Sequence, residues 1–421
     1  MRQTSFQGPD TGRGREWLAA GILLVFFVFS WRSVGITRFN ALDSPLFLAL
    51  SAFCLWRLAG GPVAISVPLF RAYLLWAGWV VFSDFFSAQF AFAFARDSHW
   101  LTLPLFVVLC AGLLRDVPSA VPLLRVAAAA SVIFIALQLA IAAPGMKTGL
   151  REPVFGHLRY LSMAVGTLVI WLYDDAQLGK WARFFVSAGR FAGLVILFWT
   201  GGRGVLLALA VALVAHTLLL VPGRTRAIFQ VLEILLAALV SELASVGNSV
   251  MGLANSVSRS VSASSVDVLT SGRIVLWSDT WKRLADGTGM WFGWGGNGFM
   301  RMGLARGFIF HPHNVILQML TDWGIIGLVL FANFLGAALR ALTGLGLRTS
   351  DGALAISILV FLLVAGMLDG GLYHPQFLIY AGLAFGMLFA RTGEGTAKRV
   401  TLHLSLVLVV LAMTAVHLIM L

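Results

Sequence analysis

Long apolar stretches alternate with short polar ones along almost the whole chain, and only one polar interruption is long. The apolar segments fall at about 17–31, 44–59, 69–93, 100–114, 119–143, 159–173, 184–200, 204–221, 226–246, 314–341, 352–372, 376–391 and 402–421. A membrane-spanning helix needs roughly 20 apolar residues and several segments are shorter, so the pattern predicts about 12 or 13 spans. The predicted fold class is therefore an all-α polytopic integral membrane protein.

The single long interruption divides the chain into three predicted parts. Residues 1–246 form an N-terminal transmembrane bundle, residues 247–313 a loop, and residues 314–421 the C-terminal transmembrane helices. The first part of the loop is rich in serine and is typical of a mobile stretch.

A short amphipathic helix on the membrane surface is predicted further along this loop. Thr270 and Ser271 are good N-caps. After them Ile274, Trp277, Trp281 and Leu284 recur at helical spacing and would form its apolar face.

Composition removes several classes of protein. Hydrophobic residues make up 59% and charged residues 11% of the chain, against roughly a quarter charged in soluble proteins. The net charge of +12 is scattered between apolar segments, which argues against a nucleic-acid partner. Cys54 and Cys110 lie inside apolar runs, so neither a disulfide framework nor a zinc site is predicted.

The distribution of basic residues predicts the orientation. With the N-terminus in the cytoplasm, most Lys and Arg residues of the short loops fall on the cytoplasmic side, as the positive-inside rule requires. The long loop then faces outward. No small-x-small cleavage site follows the first apolar run, so we expect an uncleaved first span and a multi-pass protein of the bacterial inner membrane. Membrane lipids are expected partners.

The motif His311-Pro312-His313-Asn314 opens the apolar segment that begins at Val315. Proline fits the first turn of a helix, so His313 and Asn314 are predicted at the outer N-terminus of a transmembrane helix. The positive end of the helix dipole disfavours a protonated imidazole there, and a neutral histidine can act as a general base. An interfacial histidine that merely caps the helix is the alternative, and Asn314 either orients His313 or caps the helix. A metal interpretation is weaker, because two histidines lack further ligands at suitable spacing.

Three motifs together resemble the O-antigen ligase and polymerase superfamily over roughly residues 150–390. The run from His311 to Gly327 resembles its H-x-H-N signature, with Asp322 where the family usually has Glu. The stretch from Thr200 to Gly204 is similar to its S-R-G helix start. The stretch from Ser271 to Ile274, followed by Trp277, is similar to its S-G-R-x-x-x-W motif.

This resemblance implies a GT-C-type membrane glycosyltransferase that needs neither metal nor cofactor. Such enzymes transfer a glycan, with inversion, from undecaprenyl diphosphate to an acceptor hydroxyl at a periplasmic active site. Arg203 and Arg273 are then expected to stabilise the diphosphate leaving group. His313 is expected to deprotonate the acceptor.

Further substrate-binding candidates come from the same motif and from two other outer loops. They are Asn314 and His311, then Arg151, His157, Arg159 and Tyr160 in GLREPVFGHLRY, and Asp369 beside Tyr373 and His374. The second group would hold carrier phosphate or the acceptor core, or would be plain surface residues. Asp369 would orient His313 or a sugar, or pair with an arginine.

Three functions remain open at this point. The first is an O-antigen ligase, with undecaprenyl-diphosphate-linked O-antigen as donor and lipid A-core as acceptor. The second is an O-antigen polymerase or a protein O-oligosaccharyltransferase. The third is a lipid-linked glycan flippase or transporter, which would be expected to carry charges in the middle of its segments, whereas the ionisable residues here cluster at one face.

Overall fold

The apolar segments predicted between residues 69 and 391 form helices in the computed structural model. The structure describes residues 21, 63–117, 119–142, 157–173, 178–220, 224–245, 251–287, 289–304, 309–342, 349–391 and 399–402. The predicted segments 17–31, 44–59 and 402–421 lie outside the described residues, except for residues 21 and 402.

The described elements, in chain order, are almost all helical. They are β1 Val63–Ser66, α1 Val67–Phe85, α2 Phe90–Asp116, α3 Ala120–Ala142, α4 Leu158–Trp171, α5 Lys180–Thr200, α6 Arg203–Leu220, α7 Arg224–Ala244, α8 Leu253–Val261, α9 Val266–Leu269, α10 Arg273–Ala285, α11 Gly289–Phe292, α12 Gly298–Arg301, α13 Val315–Ala341, α14 Ser350–Asp369, a 3-10 turn Gly371–Tyr373, α15 Pro375–Phe389 and β2 Arg399–Leu402.

The predicted all-α polytopic membrane fold is confirmed. Within the described residues seven helices, namely α2, α3, α5, α6, α7, α13 and α14, are long and apolar enough to cross a membrane. Helices α4 and α15 are shorter apolar helices. The strands β1 and β2, which the apolar pattern did not predict, form one short antiparallel pair.

One predicted boundary is wrong. The apolar segment predicted at 69–93 is not continuous, because α1 ends at Phe85 and α2 begins at Phe90. The end of α1 is closed by backbone bonds from Phe86 N to Phe82 O and from Ser87 N to Asp84 O. Aromatic residues flank this break on both sides, so hydropathy alone does not reveal it.

The core around the site is built on α14. This helix packs against α6, α4 and α15, and α15 in turn packs against α2. Gly166 of α4 lies directly against the ring of Phe361, where any side chain would clash. Such close approach at small residues is typical of helix packing in membranes.

Helix α13 is broken at Gly324, whose φ of 67° and ψ of −175° are not helical. The break frees backbone carbonyls that other segments then bond. Trp294 N donates to Thr321 O and Gly295 N to Asp322 O, each at 2.8 Å. The Gly-rich turn after α11 therefore holds the first half of α13, the half that follows His313.

The long loop predicted at residues 247–313 differs from its prediction in two respects. Part of the serine-rich stretch forms α8 instead of an irregular segment. The predicted α10 exists, but its N-cap is Gly272 in the left-handed region and no side chain caps it. Thr270 Oγ1 instead donates to Asp267 O at 3.1 Å, and Asp267 Oδ1 accepts a bond from Val275 N.

The predicted apolar face of α10 is only partly buried. Leu284 is buried, whereas Ile274 is 41% and Trp281 49% exposed. Trp277 is half-buried and its Nε1 donates to Pro312 O at 2.9 Å. This bond ties α10 to the histidine motif.

Candidate active site

Asn314 is the N-cap of α13. Its Oδ1 accepts hydrogen bonds from Ile316 N and Leu317 N, both at 3.0 Å, and its Nδ2 donates to Met367 O at 3.1 Å. Capping is thus its observed role. Pro312 lies two residues before the cap, so the expectation that it occupies the first helical turn is wrong.

His313 adopts a left-handed backbone conformation with a φ of 54°, which is uncommon outside glycine. Its Nδ1 lies 3.4 Å from the backbone O of Asp369 and 4.0 Å from Asp369 Oδ1. A proton on Nδ1 turns the first contact into a hydrogen bond and leaves a lone pair on Nε2.

The electrostatic surroundings keep the His313 imidazole neutral. Burial is the largest effect and lowers the pKa of His313 below 6.5. The positive charges of Arg159 and Arg273 lower it further. The carboxylate of Asp369 and the bond to its backbone act in the opposite direction. A neutral imidazole with a free Nε2 has the protonation state that a general base requires.

His311 lies buried beneath His313 and supports the turn. Its Nδ1 accepts a hydrogen bond from His313 N at 3.2 Å. Its ring stacks on Tyr373 at 4.7 Å between centroids. Burial is the largest effect that holds the pKa of His311 well below 6.5, and a protonated His313 would lower it further. The His311 ring is therefore also neutral.

Asp369, at the end of α14, connects two arginines to the histidine. Arg273 Nη2 donates to Asp369 Oδ1 at 2.7 Å, and Arg159 Nη1 lies 3.6 Å from the same oxygen. Asp369 itself is buried. Of the roles considered for Asp369, pairing with arginine is observed directly, and its backbone contact is placed to orient His313.

The start of α4 contributes three of the predicted residues. His157 is the N-cap, and its Nδ1 accepts a bond from Arg159 N at 3.1 Å. Burial first, and the charge of Arg159 second, lower the pKa of His157 to about 4. Tyr160 packs edge-on against the ring of His374 at 4.3 Å. Arg151 lies outside the described residues.

Arg203 is the first residue of α6 and follows Gly201, which adopts a left-handed φ of 58°. Its Nη1 donates to Ser260 Oγ at 3.3 Å and its Nη2 to Ser271 Oγ at 3.1 Å. A Cβ on the neighbouring Gly204 would lie 4.0 Å from Asp369 Oδ2. The structure thus joins Arg273 and His313 at Asp369 and places Arg203 close to Arg273, bonded to Ser271 two residues before it.

Sequence reasoning missed two neighbours of the site. The guanidinium of Arg96 lies 3.6 Å from the ring centroid of Tyr373, a cation–π contact. The hydroxyl of Tyr373 donates to Asn297 Oδ1. Arg96 carried no usable signal, because it falls between the predicted apolar segments 69–93 and 100–114, and only the structure places it inside α2. Asn297 belongs to the Gly-rich turn and carried none.

Asp322, the acidic residue of the histidine motif, lies in the half of α13 before the break at Gly324. Its Oδ1 accepts a bond from Gly298 N at 2.7 Å and its Oδ2 from Gln318 Nε2 at 2.6 Å. It therefore holds the Gly-rich turn against α13. In the part of the chain that the structure describes, no three His, Cys, Asp or Glu residues are grouped so as to hold a metal ion.

Comparison with known families gives one result. Residues 188–332 match the family model described as O-antigen ligase. The matched region includes Arg203, Arg273, His313 and Asp322, while Arg159 and Asp369 lie outside it. No curated protein matches the chain.

Proposed function

Residues 188–332 match the family model described as O-antigen ligase, and on this basis we propose that the protein belongs to the O-antigen ligase and polymerase superfamily and is an O-antigen ligase. It transfers O-antigen polysaccharide from undecaprenyl diphosphate to a sugar hydroxyl of lipid A-core. The observation that carries this proposal is a neutral His313 joined to Arg273 through Asp369, with Arg203 bonded to Ser271 close to Arg273.

His313 acts as the general base. Its Nε2 takes the proton of the acceptor hydroxyl while the acceptor oxygen attacks the anomeric carbon of the donor from the side opposite the leaving group. The new glycosidic bond forms as the bond between that carbon and the diphosphate oxygen breaks. The electron pair leaves with the diphosphate, the proton remains on His313, and the anomeric configuration inverts.

Arg203 and Arg273 stabilise the negative charge that grows on the diphosphate. Guanidinium groups form paired, charge-assisted hydrogen bonds with phosphate oxygens. Arg203 contacts only serine hydroxyls among the described residues, and these bonds are easily exchanged for bonds to an anion. No cofactor is required for this chemistry.

The remaining candidates have supporting roles. Asp369 orients His313 and Arg273, and Asn314 fixes the helix end behind the base. Arg159, His157 and Tyr160, with Arg151, bind the carrier phosphate or the phosphorylated acceptor core. His311 lies beneath His313 and contributes to the part of the site that binds the acceptor.

Transfer takes place on the periplasmic side of the inner membrane, with the N-terminus in the cytoplasm. Helix α14 supports this orientation because its two ends differ in character. Its Asp369 end meets the site, whereas at its other end Asp351 pairs with Arg125 at 3.1 Å and Arg391 at 2.7 Å. A basic cluster opposite the site agrees with the positive-inside rule.

The deciding experiment supplies purified protein with carrier-linked O-antigen and lipid A-core. We expect capped lipopolysaccharide to form, also in the presence of EDTA, and to be lost in His313→Ala and Arg203→Ala. Arg283→Gln, an exposed arginine of α10, serves as the control and should retain transfer.

The two alternative transferase activities have their own results in this assay. Longer carrier-linked chains without transfer to lipid A-core would identify a polymerase. Transfer to a polypeptide added as a second acceptor would identify a protein O-oligosaccharyltransferase. Full activity of His313→Ala at normal expression would refute the catalytic assignment, and loss of transfer in EDTA would refute the metal-free mechanism.

A further inference from the structure

A third arginine approaches the turn that carries Arg203. Helix α8 crosses this turn, because Gly252 N donates to Trp199 O at 2.8 Å and Ser256 Oγ donates to Gly201 O at 2.9 Å. One helical turn further, Arg259 Nη2 lies 3.6 Å from the position that a Cβ on Gly201 would occupy. Arg259 belongs to none of the three motifs of the histidine and arginine site.

The three arginines are held together with little compensating negative charge. Arg203 experiences electrostatic repulsion from both Arg259 and Arg273. Asp369 pairs with Arg273 and Arg159, whereas no carboxylate of the described residues forms an ion pair with Arg203 or Arg259. Like charges placed close together raise the free energy of the folded protein, and a bound polyanion would reverse the sign of that contribution.

The two sides of α8 differ in a way that suits a lipid-linked anion. Leu253, Val257 and Val261 recur every four residues and form one apolar side, with Val257 54% and Val261 83% exposed. Ser256, Arg259 and Ser260 form the side towards the Gly201 turn. An amphipathic helix of this kind lies at the membrane interface with its apolar side in lipid. Arg259 then lies at the depth of lipid phosphate groups.

We propose that Arg259 is a phosphate-binding residue and that the arginines divide the donor diphosphate between them. Arg203 and Arg259, with the hydroxyl of Ser260, hold the phosphate on the lipid side. Arg273 holds the phosphate attached to the sugar, because Asp369 joins Arg273 to His313 and therefore to the reacting carbon. This inference rests on the proposed function and extends it to a residue with no assigned role.

A merely structural role for Arg259 makes a different prediction. Its Nε donates to Asn255 O at 3.3 Å, and a cation in the last turn of a helix stabilises that helix. Such a role would affect the stability of α8 and would not lower the affinity for a lipid that carries only the lipid-side phosphate. The affinities for the lipids with one and with two phosphates are therefore the informative measurement.

The experiment measures binding of undecaprenyl diphosphate and of undecaprenyl monophosphate to purified protein in lipid nanodiscs. The wild type should prefer the diphosphate. In Arg259→Gln we expect affinity for the diphosphate to fall roughly tenfold to a hundredfold, the range expected for a lost hydrogen bond to a charged group. Affinity for the monophosphate should fall by a similar factor, because its single phosphate is the one on the lipid side. Arg273→Gln should instead lower the affinity for the diphosphate alone, because only the diphosphate carries the second phosphate.

Two further variants separate charge from geometry. Arg259→Lys keeps the charge but not the paired donors, so an intermediate loss is expected. Arg283→Gln removes a charge from the same loop and should keep the wild-type affinities. Unchanged affinity for the monophosphate in Arg259→Gln, or an equal loss in Arg283→Gln, would refute the inference. A wild type that binds neither lipid would refute the proposed function itself.

Discussion

Replacement of Gly370 by alanine should disable transfer without preventing folding. Gly370 joins α14 to the following 3-10 turn and has a φ of +66°. A Cβ at this position would lie 2.6 Å from His311 Nδ1 and 3.1 Å from the Cα of His313. The added methyl group therefore pushes on the turn that holds His313, the proposed general base.

The expected magnitude has two parts. A left-handed conformation costs alanine about 1 kcal/mol of folding free energy. Ordinary contact begins at 3.4 Å, so the His311 ring must move by about 0.8 Å and the His313 backbone by about 0.3 Å. His313 N bonds to the displaced ring, and a misplacement approaching 1 Å in a catalytic arrangement costs on the order of 10²-fold in rate.

Gly303→Ala is the matched control. Gly303 also has a positive φ, of +72°, but no atom lies within 4 Å of its added Cβ. Both variants should lose thermal stability, measured as Tm in detergent, because both place alanine in the left-handed region, and Gly370→Ala should lose more through its contact with His311. Only Gly370→Ala should lose about 10²-fold in kcat for glycan transfer. Equal kcat in the two variants would refute the idea that this contact positions the base.

Three further predictions concern the same turn. Transfer should fall at low pH with a midpoint below 6.5, because burial lowers the pKa of His313 and the base stops working only when it gains a proton. A midpoint above 7 in the pH dependence of kcat/KM would contradict this. Asn314→Ala should lower the free energy of unfolding by about 1 kcal/mol through the lost cap, and it also removes the bond to Met367 O. Asn314→Asp keeps a capping oxygen and should restore the capping contribution in a thermal unfolding assay. Trp277→Phe removes the bond to Pro312 O and should reduce kcat several-fold while the thermal stability of the membrane helices stays unchanged; an unaltered kcat would show that α10 does not position the histidine turn.

Much of the fold was predictable because the bilayer imposes a local requirement. Each span must be apolar over its own length and must satisfy its own backbone hydrogen bonds. The predicted segment 119–143, for instance, became Ala120–Ala142. The prediction failed between α1 and α2, because the break at residues 86–89 is stabilised by backbone bonds and is flanked by apolar side chains.

The start of α10 shows the limit of local rules. Thr270 and Ser271 have the side chains of good caps, yet Ser271 Oγ accepts a bond from Arg203, which comes from a segment 68 residues away in sequence. The cap position passes to Gly272, which tolerates the left-handed backbone. A contact distant in sequence outweighed the local preference.

By itself the sequence determined the membrane class, the approximate spans and the identity of the chemical groups, since hydropathy and motif chemistry are properties of consecutive residues. Only the tertiary structure decided that Arg159, Arg273 and His313 share Asp369, and that Arg259 approaches Arg203. These residues come from six different segments, and their distances depend on how α14 packs between its neighbours and on the break in α13. Such packing is set by side chains far apart in sequence, so no local pattern contains it.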